Sequence, residues 1–119
     1  MDIRPFARRD AAAVIDLVLG IQNDEFHLGL SICDQRDLED IEAYYLKGGG
    51  TFFVAEEPSA RIFGSNALMR LRDDLGVMKK FFVAAGHRGR EHGVARALCD
   101  RFIGGGFDLI VAGVIGGSI

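Results

Sequence analysis

A chain of 119 residues is a single domain, since domains run at roughly 100–200 residues, and it can bury one core but not two. Hydrophobic residues at 49% and charged residues at 26% exclude wholesale disorder and a coiled coil. A net charge of -3 excludes a protein that coats nucleic acid.

Asp2 to Phe6 reads as a short strand whose proline, Pro5, suits an edge or a strand end. Charges in MDIRPFARRD stand where a signal peptide needs an apolar core. No run reaches the roughly 18 apolar residues of a membrane helix, so the expectation is a soluble, cytoplasmic protein with no membrane partner. Asp10 is a candidate N-cap. Behind it Val14, Leu17, Val18 and Ile21 recur at helical spacing, which predicts a helix over about 10–22. Asn23 to Cys33 reads as a loop with room for a helical turn. A second helix is predicted from Asp34 or Asp37 to Lys47, with Leu38, Ile41 and Tyr45 as its apolar stripe. Asp37, Glu39 and Asp40 fall in its first turn, where the helix dipole favours acids, and Gly48-Gly49-Gly50 stops it.

Three strands follow: Thr51 to Ala55, Arg61 to Leu71 with a possible bulge at Gly64, and Val77 to Val83. Turn residues separate them at Glu57 to Ala60 and Arg72 to Gly76. Phe52-Phe53 and Phe81-Phe82 are adjacent pairs, so each pair faces both sides of the sheet and helices should cover both. Of Lys79 and Lys80, one must point inward or toward a cleft. A polar loop, Ala84 to His92, leads into a helix over 93–103, and Phe107 to Ile115 reads as a buried strand. The last strand–helix–strand unit should be a right-handed crossover with parallel strands. Glycine, at 16 of 119, is concentrated here, with six from Gly104 onward. The order is β-α-α-β-β-β-α-β: an α+β (mixed α/β) fold, a mostly antiparallel sheet with helices on both faces.

The segment that can carry chemistry is Lys79 to Ala95. A hydrophobic strand runs into a basic, glycine-bearing loop that opens a helix. Helix-initial N–H groups point outward unpaired, and the dipole adds positive potential. Glycine lets the backbone approach a phosphate, and Arg88 and Arg90 add charge, which suits a diphosphate ligand. No Walker-type loop or G-x-G-x-x-G turn is present, which argues against a nucleotide module. No His, Cys and carboxylate set has metal spacing, so no metal is expected. Cys33 and Cys99 read as free, buried thiols in a reducing compartment.

Arg90-Glu91-His92-Gly93-Val94-Ala95 fits the Gln/Arg-x-x-Gly-x-Gly/Ala signature of acetyl-CoA binding, and the segment resembles that of the GNAT (GCN5-related) N-acetyltransferase superfamily. The element order and the Ile3-Arg4-Pro5 start with Asp10 are similar as well, over about 1–115. The resemblance implies a single acyl-CoA N-acyltransferase-like domain over 1–119, short of the last helix and strands. It implies transfer of acetyl from acetyl-CoA to an amine, on a small molecule or a protein, by direct attack. Arg88, Gly89, Arg90, Glu91, His92, Gly93, Val94 and Ala95 would hold the pyrophosphate, and the main chain of Phe82, Val83 and Ala84 the pantetheine arm. Glu25 is the candidate base, with Glu56, Glu57 and Asp74 as rivals. A late-helix tyrosine acid has no match, since Tyr44 and Tyr45 are the chain's two tyrosines. The alternative is a CoA-binding protein of this fold that is catalytically incomplete. An apolar last strand with an open edge predicts a homodimer.

Overall fold

In the computed structural model, the described residues are 2–73, 75–88, 93–101 and 109–112, the last four by backbone alone. A five-stranded sheet has its strands in sequential order, β1 (Asp2–Pro5), β2 (Thr51–Glu56), β3 (Ile62–Arg72), β4 (Leu75–Val83) and β5 (Leu109–Ala112). Neighbours pair antiparallel up to β4, and β5 lies parallel to β4. This is the α+β fold that the sequence predicts.

The two faces carry separate cores. On one, α1 (Ala11–Gly20) lays Val14 and Val18 over Phe52, Val54, Ala67 and Phe82, and Leu38, Ile41 and Tyr45 complete the cluster. On the other, α3 (Val94–Asp100) packs Val94 and Leu98 on Ala55, Phe63, Phe81 and Val83. Each adjacent phenylalanine pair thus splits between the faces, as strand alternation requires.

Several local expectations are corrected. Asp10 does not cap α1. The chain is already wound at a 3-10 turn, Arg8–Asp10, and the Asp10 carboxylate reaches back to accept from the Ala7 N–H at 2.8 Å. Its other partner is Arg4, which donates to both carboxylate oxygens at 2.8 and 2.9 Å and also to Glu56. The first helix runs past residue 22 through a wide π-type turn, Ile21–Glu25. The second predicted helix is two pieces, α2 (Arg36–Glu39) and a π-type turn Glu42–Leu46. Asp40 breaks it, since its backbone leaves the helical region, at φ -146° and ψ 84°, and its carboxylate accepts from the Ala43 N–H at 3.1 Å, restarting the coil as a cap. The bulge in β3 falls on Phe63 beside Gly64, where two residues of β3 are spanned by one step of β2. Cys33 is exposed rather than buried, and Cys99 is half-buried against the α3 core. The predicted ends of the last helix and strand, and Asp74 of the hairpin turn, lie outside the described residues.

Gly50 is needed where it stands. A Cβ there would lie 2.1 Å from the Leu68 carbonyl oxygen, so the chain leaving the second helical segment presses directly on β3. Among the described residues, no helix is long and apolar enough to cross a membrane.

Candidate functional site

The site is organised by β4. Its pairing with β5 runs from Leu75–Leu109 to Met78–Ala112, which is where the described part of β5 ends. Its pairing with β3 continues to Val83–Gly64, and the Ala84 N–H donates to the Phe63 carbonyl at 2.8 Å. Antiparallel ladders alternate, so if Ala84 faces β3, the N–H and C=O of Val83 face the other way, toward the β5 side. Arg88 agrees with this, because its Nε donates to the Val83 carbonyl at 2.7 Å.

A bulge interrupts β4. Ser65 pairs with Phe82 and Ala67 with Lys79, so Asn66 opposes both Lys80 and Phe81. Lys80 takes the left-handed conformation at φ 50°, and its carbonyl accepts from the Ser65 hydroxyl at 2.7 Å. The extra residue breaks alternation and sends both lysines to the same face. Lys79 donates to the Tyr44 hydroxyl at 3.3 Å, and Lys80 Nζ lies 3.5 Å from Asp37. Of the two, Lys80 is the one that turns inward, as the sequence argument requires, while the contact of Lys79 with Tyr44 is exposed.

Beneath the bulge lies a pocket of about 370 Å³ between β4 and the helical segments, lined in part by Gln22, Asp34, Gln35, Arg36, Asp37 and Lys80. Gln22 and Gln35 are buried and exchange two amide hydrogen bonds, at 2.9 and 2.7 Å. Asp37 is buried and accepts from the Tyr45 hydroxyl at 2.5 Å. Burial pushes the Tyr45 phenol up, and the Asp37 charge adds to that. Burial also pushes the Lys80 ammonium below its ordinary value, against the pull of Asp37. No spacing in the sequence joins these three segments. The one hint is Gln22, which follows Val14 and Val18 along the helix's apolar stripe.

The structure joins three residues that the sequence nominated. Arg88 donates to both Glu25 carboxylate oxygens, at 2.6 and 2.8 Å, while holding the Val83 carbonyl. Arg88's hydrogen bonds hold the Glu25 carboxyl below its usual range. The rival acids are placed elsewhere. Glu56 is bound by Arg4, and Glu57 bonds His87, whose ring lies 4.0 Å from that of Phe63. Gly93 sits at the start of α3 in the left-handed conformation, φ 64°, with Val94 buried behind it. Gly89, Arg90, Glu91 and His92 lie outside the described residues. No group of three or more potential metal ligands occurs among the described residues.

No family model and no curated protein sequence matches the chain. Solved structures do. An acetyltransferase of the GNAT family from Staphylococcus aureus Mu50 is 34% identical over 86% of this chain, with a TM-score of 0.80. An acetyltransferase from Streptococcus agalactiae is 33% identical over the same share, with a TM-score of 0.79. The chain belongs to the GNAT superfamily. It spans 63% of the length of each of those two GNAT chains. A Mycobacterium tuberculosis protein solved in complex with CoA shares the GNAT fold at 24% identity and a TM-score of 0.57, with 87% of this chain and 55% of that one covered.

Proposed function

We propose that this GNAT chain transfers the acetyl group of acetyl-CoA directly to an amine. The observation that carries the reading is the outward-facing backbone of Val83 on β4, with the start of α3 beyond it. An extended amide arm can add to that edge as a strand would, and a diphosphate can take Arg88 and the N–H groups leading into α3 at Glu91, His92, Gly93, Val94 and Ala95. Phe82 and Ala84 flank Val83 on the same path.

Bound acetyl-CoA supplies an activated thioester. The chain's work is to position it and to manage one proton. The amine nitrogen forms the new C–N bond, the C–S bond breaks, a base takes the ammonium proton and the thiolate gains one. Arg88 couples these parts. A diphosphate that draws Arg88 away releases the Val83 carbonyl for the arm and Glu25 for service as the base. Glu25 then returns toward its ordinary carboxyl range, the direction a base needs.

Two arms test this. Arg88→Gln should weaken acetyl-CoA roughly tenfold, about 1.4 kcal/mol, and leave acetyl-pantetheine, which lacks the diphosphate, within twofold. Equal loss for both ligands contradicts the assignment. Glu25→Gln should tighten acetyl-CoA binding, because Arg88 loses its competing partner, while lowering the rate of transfer. The ion pair that engages Glu25 with Arg88 is the observation that favours the second reading, a CoA-binding chain without turnover. Tight acetyl-CoA binding with no transfer across an amine panel would establish that reading instead.

A further inference from the structure

We infer that His87 is a positioning residue of the cofactor site. Through its bond to Glu57 it fixes the backbone that carries Arg88, and the affinity for acetyl-CoA depends on that bond. The inference rests on the acetyl-transfer reading above and goes on to say what holds the diphosphate groups in place.

The diphosphate is assigned to Arg88 and to the N–H groups at the start of α3. Such groups bind an anion well when they already stand in position, because ordering them on binding costs affinity. The chain therefore has to be held on both sides of residues 89–92. On the far side packing does this, since Val94 is buried in the core that includes Phe63, Val83 and Leu98. The near side is the 3-10 turn Ala85–His87, which buries none of its residues and needs another anchor.

His87 supplies it. Its Nε2 lies 2.6 Å from Glu57 Oε1, and its ring lies 4.0 Å from that of Phe63, tilted by 30°. A carboxylate only accepts, so the ring nitrogen donates. Phe63 also accepts the Ala84 N–H at its carbonyl, so the near side is tied to the same core that holds Val94. Glu57 is itself fixed. Its second oxygen accepts from the Ser59 hydroxyl at 3.2 Å, and Arg61 stands 3.9 Å from the first. Two backbone bonds close the turn that carries it, from the Glu57 N–H to the Arg61 carbonyl at 2.9 Å and from the Ala60 N–H to the Glu57 carbonyl at 2.8 Å. Glu57, a rival for the base in the sequence, thus acts as a strut. With His87 held, Arg88 can exchange Val83 and Glu25 for a diphosphate by moving its side chain alone.

The test is calorimetric titration of the full chain with acetyl-CoA and with acetyl-pantetheine. His87→Ala should raise the Kd for acetyl-CoA roughly fivefold or more and leave that for acetyl-pantetheine within twofold, because the arm uses Val83 rather than the diphosphate groups. His87→Gln keeps an N–H donor of similar reach and should return acetyl-CoA to within twofold of the unchanged chain. Glu57→Ala should match His87→Ala, and the double variant should bind no more weakly than either, since both act through one contact. Four results overturn the inference and leave acetyl transfer standing: an unchanged acetyl-CoA Kd in His87→Ala, equal loss for the two ligands, no rescue by His87→Gln, or additive losses in the double variant. Glu57→Ala alters a turn outside both cores and carries the comparison of ligands if His87→Ala does not fold. No binding of acetyl-CoA by the unchanged chain overturns this inference and the reading beneath it together.

Discussion

Arg4 joins three elements through one guanidinium. It grips the Asp10 carboxylate at the entry to α1 and Glu56 at the end of β2, and its own backbone belongs to β1. Asp10 is 5% exposed, so removing its charge leaves Arg4 half-satisfied where water reaches it poorly. Asp10→Asn should cost about 3 kcal/mol at neutral pH, since hydrogen bonds to charged groups contribute roughly 1.5–3 kcal/mol each and do not add fully. Arg4's hydrogen bonds hold the Asp10 carboxyl below its usual range. A depressed carboxyl stabilises the fold above the unfolded pKa of about 3.9, and that contribution is lost as the pH falls through the folded value. Urea melts at pH 7 and at about pH 2.5 should therefore show the Asp10→Asn penalty shrinking in acid. An equal penalty at both values would mean that the pair contributes through packing alone. In the sequence Asp10 invites reading as an N-cap. The carboxylate does serve the helix start, but from inside the turn, because Arg8 and Arg9 are already wound and Ala7 takes the cap position.

At the level of elements, β4 shows where sequence patterns stop being informative. Apolar periodicity marks α1 and the strands well, since a stripe of Val14, Val18 and Ile21 has one way to bury itself. A bulge leaves no such mark. Met78-Lys79-Lys80-Phe81 departs from strict alternation, but the departure does not say which residue is extra, and pairing to β3 shows that. The Lys80 wall of the pocket depends on that extra residue, and for that reason the pocket was not legible in the sequence, while residues 89–92 of the Gly86 to Ala95 motif lie outside the described residues. The break at Asp40 is hidden in the same way, because Leu38, Ile41 and Tyr45 keep helical spacing across it. The contact of α3 with the sheet is tight. A Cβ at Gly64 would lie 3.1 Å from the Ala55 Cβ and 3.3 Å from Leu98 Cδ1. Gly64→Val should thus push α3 off β3 and destabilise by roughly 1–3 kcal/mol, as overpacking does. Leu98→Ala, at 0% exposure, should cost roughly 2–5 kcal/mol from the opposite fault, a cavity. Thermal melts of the pair check both. A stabilised Gly64→Val would show that the helix has slack there.

The sequential strand order is what a meander followed by one crossover produces, and it makes the fold the most legible part of the chain. The same order puts β5 at the edge of the described sheet. A sheet edge is a surface that proteins cover, so a homodimer is proposed, and light scattering on the eluted protein should give twice the chain mass. A monomer at high concentration contradicts it. The account turns on whether the outward-facing backbone of β4 at Val83 and the start of α3 form one acetyl-CoA site, and Gly93 is where that can be decided. Its φ of 64° suits glycine, and a valine there carries backbone strain of roughly 1–2 kcal/mol. Calorimetric titration with acetyl-CoA should give one site per chain at a Kd of roughly 10 μM, close to −7 kcal/mol, and Gly93→Val should abolish it in a chain that still melts cooperatively. No heat of binding at about 1 mM acetyl-CoA, or undiminished binding by a folded Gly93→Val chain, would contradict it.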